Sequence, residues 1–495
     1  VAVVGVAALT PLASAGCLRL QPFFCTNAVS FQSFMNALYQ LFTQALKAAS
    51  ELEALSHEER DEWCEAVIQR LIVEIDEKLG RQVELVIQHA SFKALEALWR
   101  NTKALSDKHY PRHQVRIRIL DMNWERVSDD LNLSFSLKDS TLYRQIYQQE
   151  FNTSGGQPFG LLLIDHEAST EISVTGEHDD LYTLQLLGQL GHEALCPVLM
   201  PVAGDFIGTD DADVWCDPER VRRILASDDF IGWRQLRKER VSQFLGLTWP
   251  ALRVRKPWKS YHSGFVFEEQ SSTGSGSSTL WGNSAFALAD NILREFCRIS
   301  WFGFLRGGHD VASGGAVVDL YDDPTAFLRV TPSLENFYSD NGFIPLASGY
   351  LTGSVGIYSN RSVFQPDAPL SRKSDETVIS MLQTTLLACR IGHYLKIQIR
   401  DKIGSYKSAS ECERELNSWL QTYTSNIEHA EEHILSRYPL KRSMVKVSGD
   451  ASSGRYHCQI SLQPQYQFDF LSSSIVLRTE LGSTGAGERT IGRAG

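Results

Sequence analysis

Leu161-Leu162-Leu163-Ile164 and Cys196-Pro197-Val198-Leu199-Met200-Pro201-Val202-Ala203 are two short, nearly unbroken apolar runs, with a helical stretch near 179–193 between them. Apolar side chains on both faces of a strand require cover on both faces, the condition of a parallel sheet layered with helices; a half-exposed antiparallel strand would alternate instead. The runs therefore predict an α/β fold with a mainly parallel sheet. Toward the N-terminus, a helix near 138–150 enters the first run through Gly155, Gly156 and Pro158. Before it, Val115, Ile117 and Ile119 alternate with Arg116 and Arg118, a period of two that predicts another strand.

Upstream the period changes to that of helices. Phe92, Leu95, Leu98, Trp99 and Leu105 mark one; Val67, Ile68, Leu71, Ile72, Ile75 and Leu79 mark another, opened by a Ser56/Glu59 capping box and closed by Gly80. Phe31, Phe34, Leu38, Leu41 and Ala45 recur at spacings of three and four, the seam of a helix that packs on its own domain or docks on a partner. The opening VAVVGVAALTPLASAG, ahead of Cys17, imitates an export leader, but it lacks a basic n-region and Pro11 interrupts it, so a flexible or partner-bound arm is expected. No unbroken run of eighteen apolar residues follows, which argues against membrane insertion.

Downstream, Ser271–Ser278 reads as a flexible loop, a helix follows near 283–300, and 307–370 is turn-rich with a strand-like piece at Phe343–Leu346. Helices near 375–398 and 409–436 lead to a hairpin. In it Val445 and Val447 alternate with Met444, Lys446 and Ser448; after a turn at Gly449–Gly454, Tyr456, Cys458, Ile460 and Leu462 share one face. Ile475–Leu481 is a separate strand after a loop. The organisation expected is an N-terminal arm and helical segment (1–80), an α/β body (81–370), a C-terminal α+β domain (371–481) and a flexible tail (482–495).

The chain has 495 residues, 43% of them hydrophobic, and a net charge of −11 from 48 Lys+Arg against 59 Asp+Glu. That excludes a disordered chain or a disulfide-stapled module and argues against a nucleic-acid partner, which calls for a basic stripe. The nine cysteines are scattered without a CxxC pair, the usage of reduced thiols in the cytoplasm. Arg253-Val254-Arg255-Lys256-Pro257-Trp258 combines cations with an aromatic, yet so short a piece in an acidic chain reads as an ion-paired interface or a solvated strand end.

Catalytic motifs are sparse. His429-Ala430-Glu431-Glu432-His433 fits H-x-x-E-H, whose two imidazoles would share a helix face as zinc requires; a zinc-dependent hydrolase using His429, Glu432 and His433 is the alternative reading, against the default of a solvated charged face. His192-Glu193 lacks a second His. Gly307-Gly308-His309 with Gly314-Gly315 is a turn cluster, since neither a P-loop nor a dinucleotide fingerprint is present, and no G-x-S-x-G elbow occurs. No catalytic, metal or cofactor residue is assigned.

Longer strings carry more information. His89-Ala90-Ser91-Phe92-Lys93-Ala94-Leu95-Glu96-Ala97-Leu98-Trp99-Arg100 resembles the "HPEFQALEAAWRGL" helix of the large sheath subunit of bacterial type VI secretion systems (the TssC/VipB family), with Ala90 in place of the usual Pro. Ile146–Phe151 with Gly155–Gly160 is similar to its "IYEEEFGTFGGEPYG", Leu280–Ala287 to "LWGNAAYA", and Gly342–Leu346 to "GFIPL". His393–Gly404 resembles "AHYLKVMVRDKIG", and Cys412–Leu420 lies in a counterpart of "ECERWLNNWI". These six strings keep family order over about residues 89–481; residues 1–50 and 307–340 follow the pattern loosely.

The resemblance implies a non-enzymatic structural subunit. It would pair with a small sheath subunit (TssB/VipA), polymerise in the cytoplasm with other sheath protomers around an Hcp tube on a baseplate, contract, and be recycled by the ATPase ClpV. It further implies strands exchanged between protomers, placed here at Val445, Val447, Tyr456, Cys458, Ile460, Leu462, Ile475, Leu477 and Thr479. Partner docking falls on Phe31, Phe34, Leu38, Leu41 and Ala45. The motif positions read as structural are Trp99, Arg100, Trp281, Gly282, Asn283, His393, Tyr394, Arg400, Asp401, Lys402 and Gly404.

Overall fold

The computed structural model describes residues 2–8, 39, 56–108, 110–111, 114–170, 179–260, 264–269, 278–306, 315–349, 354–366, 378–402, 409–425, 436–450, 455–465 and 475–482. In chain order, β1 (Ala2–Ala8) is followed by helices α1 (His57–Ile87) and α2 (Ala90–Asp107), β2 (Val115–Asp121) and α3 (Trp124–Asn132). A π-helix (Arg144–Phe151) precedes β3 (Phe159–Ile164), α4 (Asp180–Ala194), β4 (Val198–Pro201), α5 (Pro218–Ala226), α6 (Ile231–Lys238) and β5 (Leu245–Trp249). Short strands β6 (Leu252–Arg255), β7 (Lys259–Ser260), β8 (Phe267–Glu268) and β9 (Leu280–Gly282) come next, then α7 (Ala285–Ile299) and α8 (Pro332–Asp340). After β10 (Phe343–Pro345), β11 (Ala347–Ser348) and β12 (Val355–Gly356), helices α9 (Leu382–Lys402) and α10 (Ala409–Gln421) lead to β13 (Leu440–Asp450), β14 (Arg455–Pro464) and β15 (Ile475–Gly482). The chain forms two compact units: Val1–Ala8 with Asn101–Leu252 and Asn283–Gly495, and Leu9–Arg100 with Arg253–Gly282.

The larger unit is built on a six-stranded sheet in the order β10-β5-β4-β3-β1-β2. Every pairing in it is parallel. The two runs quoted above supply β3 and β4, and β4, β5 and β10 are buried along their whole length. Helix α7 covers β3 and β4, and α4 packs on β4 and β5. Asp179 caps α4 by accepting the Leu181 N–H at 2.9 Å. A Cβ on Gly191 would meet the Cys196 carbonyl at 2.7 Å, so only glycine lets α4 lie so close to the approach to β4. Beyond the sheet, Trp215 stacks on Trp249 at 4.7 Å and Phe206 meets Trp233 edge-on at 5.1 Å. Each such fully buried apolar side chain contributes roughly 1.5–3 kcal/mol.

Several expectations change here. Ala2–Ala8, placed by sequence in an N-terminal arm, pair on one side with β2 and on the other with β3. Ile119, one of the apolar positions of the alternation, is 55% exposed on the edge strand β2. Residues 144–151 wind as a π-helix. The helix expected to close at Gly80 runs on to Ile87, and the one expected to reach 436 stops at Gln421. A single interior glycine costs about 1 kcal/mol, which a helix of this length absorbs.

The smaller unit holds α1, α2 as far as Arg100, and β7, β8 and β9. The capping box forms: Ser56 N–H donates to Glu59 Oε2 at 2.9 Å. Its centre is ionic. Arg255 spans two carboxylates, with Nε and NH2 on Glu96 at 2.7 and 2.9 Å and NH1 on Glu269 at 2.6 Å. Trp258 N–H and Gln88 Nε2 also donate to Glu269, at 2.8 and 2.7 Å. Burial by itself would raise the Glu96 carboxyl, but hydrogen bonds from Arg255 and Arg100 outweigh it and hold the group below its ordinary range. The basic piece at 253–258 thus contributes Arg255 as an internal ion-pair partner.

Candidate assembly interface

The C-terminal stretch of the larger unit presents a three-stranded antiparallel sheet in the order β13-β14-β15. Val445 pairs with Ile460 and Val447 with Cys458; across the other ladder Ile460 pairs with Leu477, Cys458 with Thr479 and Leu462 with Ile475. One face is apolar: Val445, Cys458, Ile460 and Leu462 are buried, as are Cys412, Leu416 and Leu420, which repeat every four residues along α10. Helix α10 packs on β13. Val447 is half-buried, whereas Arg442, Met444, Lys446, Ser448 and Gln459 point to solvent. The period-two pattern therefore sorts the hairpin into a core face and a wet face. The side chains of Tyr456, Ile475, Leu477 and Thr479 lie outside the described residues, though their backbones are in the ladders.

The outer edge of β13 is bonded by its own chain at Leu440, Val445 and Val447. Val445 N–H donates to Asn417 Oδ1 and Asn417 Nδ2 donates to the Val445 carbonyl, both at 2.9 Å. Val447 N–H donates to Glu413 Oε2 at 3.0 Å. At the start of the strand, Leu440 N–H donates to the Tyr423 carbonyl and Ser425 N–H to the Leu440 carbonyl. Glu413 and Asn417 were not singled out from the sequence. Their spacing of four on a helix next to a strand was the available signal.

The family model described as "EvpB/VC_A0108, tail sheath N-terminal domain" (VipB) matches residues 69–364, and "EvpB/VC_A0108, tail sheath gpW/gp25-like domain" matches residues 371–481. The chain belongs to the VipB tail sheath family. It is 28% identical over 442 residues to the type VI secretion system sheath protein TssC1 of Pseudomonas aeruginosa, a match covering 84% of this chain and 86% of that protein. The family is thus that of the large sheath subunit of type VI secretion systems. Among solved structures, a chain of the anti-feeding prophage baseplate aligns at TM-score 0.36 and 9% identity, covering 77% of this chain and 76% of its own. A sheath tail protein from Desulfitobacterium hafniense aligns at TM-score 0.31 and 7% identity, covering 65% and 56%.

The motif positions of this sheath subunit fall at separate places. His393 of α9 is fully buried and hydrogen-bonds the Ala194 carbonyl at 3.0 Å. Burial, reinforced by Arg390 and Lys396, pushes its imidazole down to about 4, so the ring is neutral. Tyr394 accepts a bond from Arg390 NH2 at 2.6 Å and approaches Trp419 of α10 at 6.2 Å between ring centres. Lys396 sits 3.6 Å from the ring centre of Phe151, a buried cation–π contact that joins α9 to the π-helix. Asn283 Nδ2 donates to the Ile164 carbonyl and to Asp165 Oδ1, at 3.2 and 3.0 Å, and its Oδ1 accepts Ala285 N–H at the start of α7. In the smaller unit Trp99 is exposed, Arg100 bonds Glu96 at 2.8 Å, Trp281 is half-buried and Gly282 buried.

Arg400, Asp401 and Lys402 lie in α9, but their side chains, Gly404, and the docking residues Phe31, Phe34, Leu38, Leu41 and Ala45 fall outside the described residues. So do His429, Glu432 and His433. Among the described residues no three His, Cys, Asp or Glu side chains are grouped to hold a metal, no disulfide is present, and no helix is long and apolar enough to cross a membrane.

Proposed function

We propose that this sheath subunit builds the wall of a contractile tube, pairing with a small sheath subunit and linking to neighbouring copies by exchange of β15. The observation that carries the reading is the C-terminal sheet itself. A hairpin of two strands is marginal alone, and β15 completes it through backbone ladder bonds over Ile475–Gly482. Ladder bonds are indifferent to which chain donates the strand, while the buried positions Cys458, Ile460 and Leu462 select its register. The same strand from a second copy therefore fits the same slot.

In this reading the seam at Phe31, Phe34, Leu38, Leu41 and Ala45 docks on the small subunit (TssB/VipA). The heterodimers polymerise in the cytoplasm around an Hcp tube from a baseplate, and ClpV recycles the contracted polymer. Contraction is a shift between two packings of the α/β bodies, with the exchanged strands as tethers. Deleting Ile475–Leu481 should leave a soluble heterodimer that forms no tubules under negative-stain microscopy. Full-length tubules from that deletion would overturn strand exchange.

A further inference from the structure

An edge strand offers a row of unpaired N–H and C=O groups and is the usual place for another chain to add. On β13 the groups turned away from β14 include those of Val445 and Val447, since both send their N–H to α10 side chains. Asn417 presents one donor and one acceptor to Val445, the same pair that a residue of a neighbouring strand would present. The spacings match. Four residues along a helix advance about 6 Å, and two residues along a strand advance about 6.8 Å. Running against β13, α10 thus serves Val445 with Asn417 and Val447 with Glu413. Asn417 is itself held by a bond from its Nδ2 to the Glu413 carbonyl at 2.9 Å.

We propose that Asn417 and Glu413 seal the β13 edge, so that a strand from a second copy of this chain enters the C-terminal sheet only on the β14–β15 side. The inference rests on the strand-exchange reading and gives it a direction. Each sheet has one edge closed from within and one edge through which the polymer is linked, so accidental pairing of free subunits through β13 is suppressed.

Two variants of the full chain test it. Asn417→Leu with Glu413→Leu removes the seal at similar side-chain volume, and Glu413→Gln, which keeps an acceptor, is the control. Sedimentation velocity should show the double variant self-associating at least tenfold more tightly than the parent, with Glu413→Gln unchanged. Hydrogen exchange at the Val445 and Val447 amides of its monomer should quicken by about tenfold or more. A folded double variant as monodisperse as the parent, with unchanged exchange, overturns the seal.

Val447→Pro removes the N–H that faces α10 and sets a ring in the path of any strand added at β13, while the β13–β14 ladder does not use that N–H. Co-expressed with the small subunit it should form tubules as the parent does. Loss of tubules from a heterodimer with parental circular dichroism shows that β13 accepts a strand and overturns the proposal. If the proline variant does not fold, the double variant decides alone. Failure of strand exchange is read separately, as tubules formed without Ile475–Leu481, whereas self-association of the unsealed free chain needs no polymer.

Discussion

At the residue scale, two buried polar groups carry measurable consequences. His393 has its imidazole lowered from 6.5 to about 4 by burial, so between those values the unfolded chain binds a proton that the folded chain refuses. Stability from this group is therefore full above about pH 6.5 and declines as the pH falls toward 4, by roughly 3 kcal/mol across the whole window. Denaturant midpoints at pH 7.5 and 5 should differ in the parent, and His393→Gln should flatten the difference; an unchanged slope counts against the assignment. Arg255 acts in the opposite sense, as the cation that makes the buried Glu269 and the half-buried Glu96 tolerable. Arg255→Met leaves Glu96 and Glu269 without their shared partner and should cost about 3–5 kcal/mol in the smaller unit. The guanidinium lies 5.3 Å from the centre of the Trp258 ring, and chemical denaturation of the variant against the parent measures the loss. Lysine should restore little, because the two-armed bond to Glu96 needs the planar fork. That the basic string would be ion-paired was legible; which carboxylates the fold would bring to it was not.

At the scale of elements, the C-terminal hairpin was legible and its surroundings were not. Alternation sorted Val445, Cys458, Ile460 and Leu462 from Met444, Lys446 and Gln459 because a strand's side chains must point to opposite faces. Helix α10 supplies the other half of that core. Leu416 is 1% exposed, and Leu416→Ala should destabilise the domain by about 2–5 kcal/mol in chemical denaturation, whereas Met444→Ala on the wet face should stay within about 0.5 kcal/mol. A small effect at Leu416 would mean that α10 is not the sheet's main support. The closure of β13 by Asn417 and Glu413 escaped the sequence reading because polar residues four apart on a helix ordinarily mark its solvent side. The exposure of Ile119 escaped for a related reason, since periodicity states that a strand has two faces without saying whether either is covered.

At the scale of the whole molecule, the chain returns to one sheet from distant stretches, and the prediction proper to this scale is the loss of tubules on deleting Ile475–Leu481. Deleting Ala2–Ala8 instead should weaken the larger unit, since it withdraws the strand that pairs with both β2 and β3; a variant with unchanged denaturant midpoint would show that this strand adds nothing to the fold. Apolar runs, helical periods and the ordered family strings determined by themselves the α/β class, the parallel sheet, the hairpin and the sheath family, because burial on two faces and period-two alternation are local properties written in consecutive residues. Only the tertiary structure decided that Ala2–Ala8 lie between β2 and β3, that Arg255 is an internal ion-pair partner, and that α10 bonds the outer edge of the C-terminal sheet at Val445 and Val447. Those depend on which distant groups meet, and a hydrogen bond or ion pair between residues far apart in the chain leaves no period in the sequence.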